Sequence, residues 1–129
     1  MAERSPGVAL SPSERATMRD LLGADRERTM ARVASLTQDW DDIVESSALV
    51  GADDEHDPEG SSTAFERAHI QSLLHQAEKH LADLDTALER LDDGTYGVCE
   101  GCGRAIAVER LKARPAARTC ITCASAVRH

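Results

Sequence analysis

The chain has 129 residues, which is enough for one modest domain or for a small domain carrying an extended element. Only Trp40, Phe65 and Tyr96 are aromatic, so Leu, Ala and Val must do most of the packing. This composition favours helix pairs with a narrow apolar seam over a thick globular core. No apolar run approaches the roughly 18 residues that span a bilayer, and we expect a soluble, cytoplasmic protein.

The net charge of −8 is unevenly distributed along the chain. Residues 1–98 contain 9 basic and 21 acidic residues, whereas residues 99–129 contain 6 and 2. A strongly acidic body argues against binding to duplex DNA, because neutralisation of phosphates supplies most of the nonspecific affinity. The charge fits better a protein that docks on a basic protein surface, including one that normally holds nucleic acid.

The first predicted helix follows residues 1–10, which we expect to be a flexible N-terminus. Ser11 is suited to the N-cap, Pro12 to the first helical position and Glu14 to the acid of a capping box. The helix is predicted to continue to about Val50. Apolar residues in its second half recur in steps of three and four, with Ser47 taking one position; they are Val33, Leu36, Trp40, Ile43 and Val50. This narrow stripe is typical of a helix that faces a partner helix.

A second helix is predicted to start near Thr63, which with Glu66 forms another candidate capping box. It ends at Asp92-Asp93-Gly94, where glycine suits a left-handed stop. Its stripe comprises Leu74, Ala77, Leu81, Leu84, Leu88 and Leu91. Two striped helices with a short polar connection most simply pack antiparallel. We therefore predict a coiled-coil hairpin over residues 11–93, although two helices lying on a globular body are the alternative.

The connection between the two helices is acidic. Residues 51–60 contain two glycines, one proline, five acids and no basic residue. They would form the tip of a hairpin whose helices share about 28 residues, or roughly 40 Å. Such a tip can place negative charge next to a bound Mg²⁺ or a basic surface, whereas the simpler interpretation is a solvated loop.

Residues 99–123 contain all four cysteines of the chain, arranged as two C-x2-C pairs with seventeen residues between them. This spacing is typical of a tetrahedral structural Zn²⁺ site with the ligands Cys99, Cys102, Cys120 and Cys123. Gly101 and Gly103 favour a tight turn around the first pair. A thioredoxin-like redox pair would need a βαβ pattern, and disulfides would suit a secreted chain. We predict a C4 zinc-finger module over residues 94–129.

The order of residues in this module is similar to that of a known family. The matching segments are Asp92–Gly103, Ile106, Arg110-Leu111, Ala113-Arg114-Pro115 and Cys120-Ile121-x-Cys123. By these residues the chain resembles the DksA/TraR family of zinc-finger transcription regulators. The resemblance covers the second helix and the whole metal module, and the first helix by its pattern alone.

The resemblance implies a mainly α protein that binds RNA polymerase and not DNA. The hairpin would enter the secondary channel of the polymerase and modulate initiation, often together with (p)ppGpp, the alarmone of the stringent response, although no residue here supports alarmone binding. The family tip pattern Asp-x-x-Asp-x-Ala has its nearest match at Asp54 and Asp57, followed by Pro58 and by Glu59 at the alanine position. The other hypothesis is a zinc-stapled coiled-coil adaptor or dimerisation protein. No nucleophile and base suggest an enzyme.

Overall fold

The protein is mainly helical in a computed structural model that describes residues 10–50 and 58–127, with side chains described for residues 10–46 and 62–126. Its helices are α1 (Pro12–Val50), α2 (Pro58–Asp93), α3 (Val108–Ala113) and α4 (Ile121–Val127). The described part of the chain contains no strand, and Val98 and Ala105 form an isolated antiparallel bridge. None of the described helices is long and apolar enough to cross a membrane.

The start of α1 is fixed by the predicted capping box. The backbone N–H of Ser11 donates to Glu14 Oε1 at 2.9 Å, and the N–H of Glu14 donates to Ser11 Oγ at 3.0 Å. Pro12 occupies the first position of the helix, where its missing N–H has no intrahelical partner to lose. The predicted start is confirmed, and it satisfies two N–H groups that the helix itself leaves unpaired.

The predicted start of α2 is wrong. The helix begins at Pro58, five residues before Thr63, so Thr63 lies inside the helix and is not its cap. Proline is pre-organised for the first helical position, and the residues after it continue the helix. The predicted end is confirmed: Gly94 has a φ of 87°, and the N–H of Thr95 donates to the Arg90 carbonyl at 2.9 Å. This is the bond that closes a Schellman-type helix end.

The chain divides into two compact units, unit 1 (Met1–Glu27 with Ala82–His129) and unit 2 (Arg28–Leu81). In unit 1, the beginning of α1 runs antiparallel to the end of α2. Arg15 Nη2 donates to the Leu91 carbonyl at 3.1 Å, and Arg19 Nη1 lies 3.0 Å from Asp92 Oδ1. The units divide both helices, and the domain boundaries at residues 10 and 93 stay predictions.

The core of unit 1 joins the helix pair to the cysteine module. It consists of nine buried residues: Met18, Leu22, Leu84, Ala87, Leu91, Tyr96, Cys99, Ile106 and Leu111. Because α1, α2, α3 and the first cysteine pair all contribute, packing of the helices and positioning of Cys99 depend on one another. The phenol of Tyr96 donates to the Pro115 carbonyl at 2.7 Å, which satisfies its polar atom inside this core.

Unit 2 is a pair of helices with a narrow seam. Leu36 of α1 and Ala77 of α2 are buried. The other described members of the predicted stripes in this unit are half-buried; they are Val33, Trp40, Ile43, Leu74 and Leu81. The side chains of Ser47 and Val50 lie outside the described residues. The antiparallel helical pairing predicted from the stripes is confirmed. The seam is narrow, because most of its apolar side chains are only half-buried.

Candidate metal centre

The four cysteines converge in unit 1 as the sequence spacing predicts. The sulfur atoms of Cys99, Cys102, Cys120 and Cys123 all lie within 4.8 Å of one another. Cys102 Sγ and Cys120 Sγ are 3.9 Å apart, and a tetrahedral site with Zn–S bonds of about 2.3 Å places its sulfurs about 3.8 Å apart. All four cysteines are free, so the disulfide interpretation does not describe this structure.

The first cysteine pair lies in a tight turn held by backbone hydrogen bonds. The N–H of Cys99 donates to the Arg104 carbonyl at 2.7 Å, and the N–H of Gly103 donates back to the Cys99 carbonyl at 2.9 Å. Gly103 has a φ of 76°, a region that other residues rarely adopt. A Cβ atom at Gly101 would lie only 3.0 Å from Cys123 Sγ. Gly103 therefore permits the turn, and Gly101 lets the two cysteine pairs approach closely.

The second cysteine pair is positioned by the start of α4. Cys120 directly precedes α4, and Cys123 lies in its first turn. The N–H of Cys123 donates to Cys120 Sγ at 3.5 Å, so this sulfur takes the place of an N-cap acceptor. Arg110 of α3 donates from Nε to the Thr119 carbonyl at 2.9 Å. The module's two short helices thus hold the second pair opposite the first.

The surroundings of the four sulfur atoms favour a bound cation. The N–H of Cys120 donates to Cys99 Sγ at 3.2 Å and lowers the pKa of Cys99 to about 6, assisted by the N–H groups of Cys102 and Gly101. The N–H of Cys123 likewise lowers the pKa of Cys120. In contrast, the neighbouring sulfurs, first that of Cys99, raise the pKa of Cys123 to about 12. Four thiolates cannot share this space without positive charge.

The donor set fits a zinc ion. When bound, zinc supplies the divalent charge that stabilises four thiolates together. The four cysteines complete a tetrahedral shell, which leaves no ligand position for water or substrate, so the centre is of the structural kind. Such a centre holds the two cysteine pairs of unit 1 together.

A second cluster, which is not apparent from the sequence, lies around the first cysteine pair. Glu100 Oε2 accepts hydrogen bonds from Arg90 Nη1 at 2.8 Å and from Arg118 Nε at 3.1 Å. The N–H of Glu100 donates to the Arg118 carbonyl at 2.8 Å, and Arg90 Nη2 donates to the Val98 carbonyl at 2.9 Å. Arg118 also pairs with Asp83 of α2 at 3.5 Å. Glu100 therefore links the turn of the first cysteine pair to α2 and to the segment that precedes the second cysteine pair.

The predicted tip residues are not part of this centre. Asp54 and Asp57 lie outside the described residues, and Glu59 belongs to the first turn of α2. The structure thus brings together the four predicted zinc ligands, whereas the role of the three acidic residues stays a prediction.

The fold and the four-thiol centre define a helical zinc-finger protein. Residues 94–129 match the family described as the prokaryotic dksA/traR C4-type zinc finger. Residues 94–129 therefore carry the C4-type zinc finger of the DksA/TraR family, as the residue order predicts.

Solved and curated relatives agree with this assignment. The structure of transcription factor DksA2 from Pseudomonas aeruginosa superposes with a TM-score of 0.77 and 26% identity, over 97% of this chain and 91% of that one. An uncharacterized protein of Aquifex aeolicus is 32% identical over 80% of this chain and 61% of its own length. The RNA polymerase-binding transcription factor DksA of Haemophilus influenzae is 34% identical over 52% of this chain and 47% of its own length. The chain therefore spans less than two thirds of the length of these curated relatives.

Proposed function

We propose that this protein is a transcription regulator that binds RNA polymerase. The observation that carries the proposal is the likeness to transcription factor DksA2 over 97% of this chain. Two curated relatives named as RNA polymerase-binding transcription factors are 34% and 39% identical over 52% and 44% of this chain. A cytoplasmic location would follow from this partner.

In the proposed mechanism, the hairpin enters the secondary channel of the polymerase with residues 51–60 leading. Asp54, Asp57 and Glu59 would then bring carboxylates to the basic and Mg²⁺-binding surroundings of the polymerase active site, and this would change the stability of promoter complexes. The cysteine module would serve as the base from which both helices extend. Its four thiolates and the core around Cys99 support this role, because they fix the end of α2.

The charge of the chain supports binding to polymerase rather than to DNA. Residues 1–98 carry 21 acidic against 9 basic residues. Such a surface repels phosphates, whereas it is attracted to a channel that binds nucleotides and nucleic acid through basic side chains. The protein would therefore regulate initiation without a DNA contact of its own.

The test is binding to core RNA polymerase, combined with the lifetime of promoter complexes in purified transcription. We expect the wild-type chain to bind and to change that lifetime. Asp54→Asn with Asp57→Asn should keep binding and lose the effect on promoter complexes. The matched control, Glu78→Gln with Glu89→Gln, removes two charges from exposed positions of α2 and should retain both properties.

Each part of the proposal can fail separately. A folded, zinc-loaded wild-type chain that does not bind polymerase contradicts the proposed function, and a stable homodimer in that case favours the adaptor hypothesis. A double aspartate variant that acts on promoter complexes like wild type contradicts the role of the tip alone.

A further inference from the structure

Phe65 is the most exposed large apolar side chain among the described residues. It lies on α2 in unit 2 with 81% of its surface open to solvent. Together with Glu66, Ala68 and His69 it lines an open cavity of about 530 Å³. An aromatic side chain held in such a depression loses the free energy of burial unless a partner covers it, and aromatic residues in pockets dominate protein interfaces.

A second depression continues from the first on the same face of unit 2. It has a volume of about 430 Å³, and it shares Glu66 and His69 with the cavity at Phe65. Its other lining residues are Asp39, Asp42, Ile43 and Ile70. We call the two depressions together the Phe65 groove. The groove combines the aromatic ring of Phe65, aliphatic side chains from α1 and α2, and three carboxylates.

The carboxylates of the Phe65 groove are not neutralised within the described part of unit 2. Asp42 Oδ1 accepts a hydrogen bond from Gln38 Nε2 at 2.9 Å, which leaves its charge in place. Asp39 and Glu66 form no ion pair with any described side chain, and no Lys or Arg is among the described lining residues. The groove therefore combines apolar surface with negative charge, and this favours a ligand that carries a positive charge.

These features match the chemistry of arginine. Its aliphatic stem packs on apolar surface while its charged end stays at the edge. The planar guanidinium stacks on an aromatic ring and pairs with carboxylates in a bidentate manner, which lysine cannot do. Phosphate-rich ligands are disfavoured by the same carboxylates.

We propose that the Phe65 groove binds an arginine-bearing segment of RNA polymerase. The inference rests on the proposed function and adds to it a contact on α1 and α2 that is separate from residues 51–57. The guanidinium pairs with the carboxylates of Asp39, Asp42 and Glu66, and the neighbouring apolar part of the segment covers Phe65. Unit 2 thereby contributes affinity, and not only a means of carrying the acidic tip.

The test measures the affinity of zinc-loaded variants for core RNA polymerase at about 50 and 150 mM salt. Phe65→Ala should weaken binding about tenfold. Asp39→Asn with Asp42→Asn should weaken it about threefold to tenfold at low salt and reduce its salt dependence. The controls are Val44→Ala, an exposed apolar residue of α1 outside the groove, and Glu78→Gln, an exposed acid of α2. Both should bind within about twofold of wild type.

The outcomes separate this inference from the proposed function. If wild type binds polymerase and Phe65→Ala binds equally well, the groove is not a docking site, although the proposed function stands. If only the aspartate variant and Glu78→Gln weaken binding, general charge attraction replaces the groove. If wild type does not bind polymerase, both the function and this contact are wrong. Helix content by circular dichroism should match wild type in every variant, since all the replaced side chains are half-buried or exposed.

Discussion

Unit 1 and unit 2 share the same two helices, yet they differ in how far their apolar side chains are buried. Unit 1 surrounds its helix ends with a nine-residue buried core, which includes Cys99. In unit 2, Leu36 and Ala77 are the buried apolar side chains among the described residues, and Phe65 is 81% exposed. Unit 1 encloses a core that includes the metal ligand Cys99, whereas unit 2 presents apolar and acidic residues outward. The difference indicates that stability is concentrated in unit 1, and the proposed docking surface lies in unit 2.

Removing the metal should produce the largest difference between the two units. Cys99→Ser removes a buried ligand, and structural zinc contributes roughly 10–16 kcal/mol of apparent binding free energy in small zinc modules. We expect unit 1 to lose its slow hydrogen exchange around residues 96–123, while α1 and α2 of unit 2 keep much of their helical signal. Hydrogen exchange by mass spectrometry and metal analysis, with one zinc per wild-type chain, provide the measurements.

The control for the cysteine variant is Val44→Ala, an exposed substitution in unit 2. It should leave the zinc content and the exchange of unit 1 unchanged. Equal exchange in apo and zinc-loaded wild type would show that the metal does not stabilise unit 1.

A matched pair of leucines on α2 tests the difference in packing. Leu84 of unit 1 is fully buried, whereas Leu74 of unit 2 is half-buried. Leu84→Ala should lower the free energy of unfolding by about 2–5 kcal/mol, because it leaves a cavity in an enclosed core. Leu74→Ala should cost about 1–2 kcal/mol, because solvent already reaches the site. Urea unfolding of the zinc-loaded proteins measures both values, and equal losses would contradict the contrast between the units.

A matched pair of glycines tests the close approach at the metal centre. A methyl group at Gly101 would lie 3.0 Å from Cys123 Sγ, whereas at Gly23 of α1 it would meet nothing within 4 Å. Gly101→Ala should therefore weaken zinc binding, by about tenfold for each 1.4 kcal/mol of strain. Gly23→Ala should stabilise the protein by about 0.5–1 kcal/mol through helix propensity, with unchanged zinc affinity. Competition with a chromophoric chelator measures the affinities, and a Gly101→Ala protein that holds zinc like wild type would refute the steric argument.

The features that the sequence predicts are those that depend on near neighbours in the chain. Ser11 and Glu14, three residues apart, form a capping box. The spacing of the four cysteines is typical of a site for one zinc ion. The start of α2 was missed because Pro58 and Thr63 both satisfy local start signals, and local propensity alone does not choose between them. The contacts of Glu100 with Arg90 and Arg118 could not be predicted, since they depend on how the module folds back on α2. The exposure of Phe65 likewise depends on which residues of α2 pack against α1, and the sequence position of Phe65 does not give this.

The smallest expected effect concerns the single tyrosine of the chain. Burial raises the pKa of Tyr96 from 10.0 to about 12. The folded state therefore favours the neutral phenol, so this contribution to stability is complete below pH 10 and is lost as the pH rises from 10 toward 12. Tyr96→Phe loses the hydrogen bond to the Pro115 carbonyl, at a cost of about 1 kcal/mol near neutral pH.

The variant should also escape the alkaline loss, so the stability difference between wild type and Tyr96→Phe should narrow above pH 10. Urea unfolding at neutral and alkaline pH measures this difference, and ultraviolet titration of the wild type reports the phenol directly, because the chain has one tyrosine. A phenol that titrates at its ordinary pKa would mean that unit 1 opens at Tyr96 far more readily than its enclosed core implies. The cores of unit 1 and unit 2 would then differ only in the degree to which they exclude solvent.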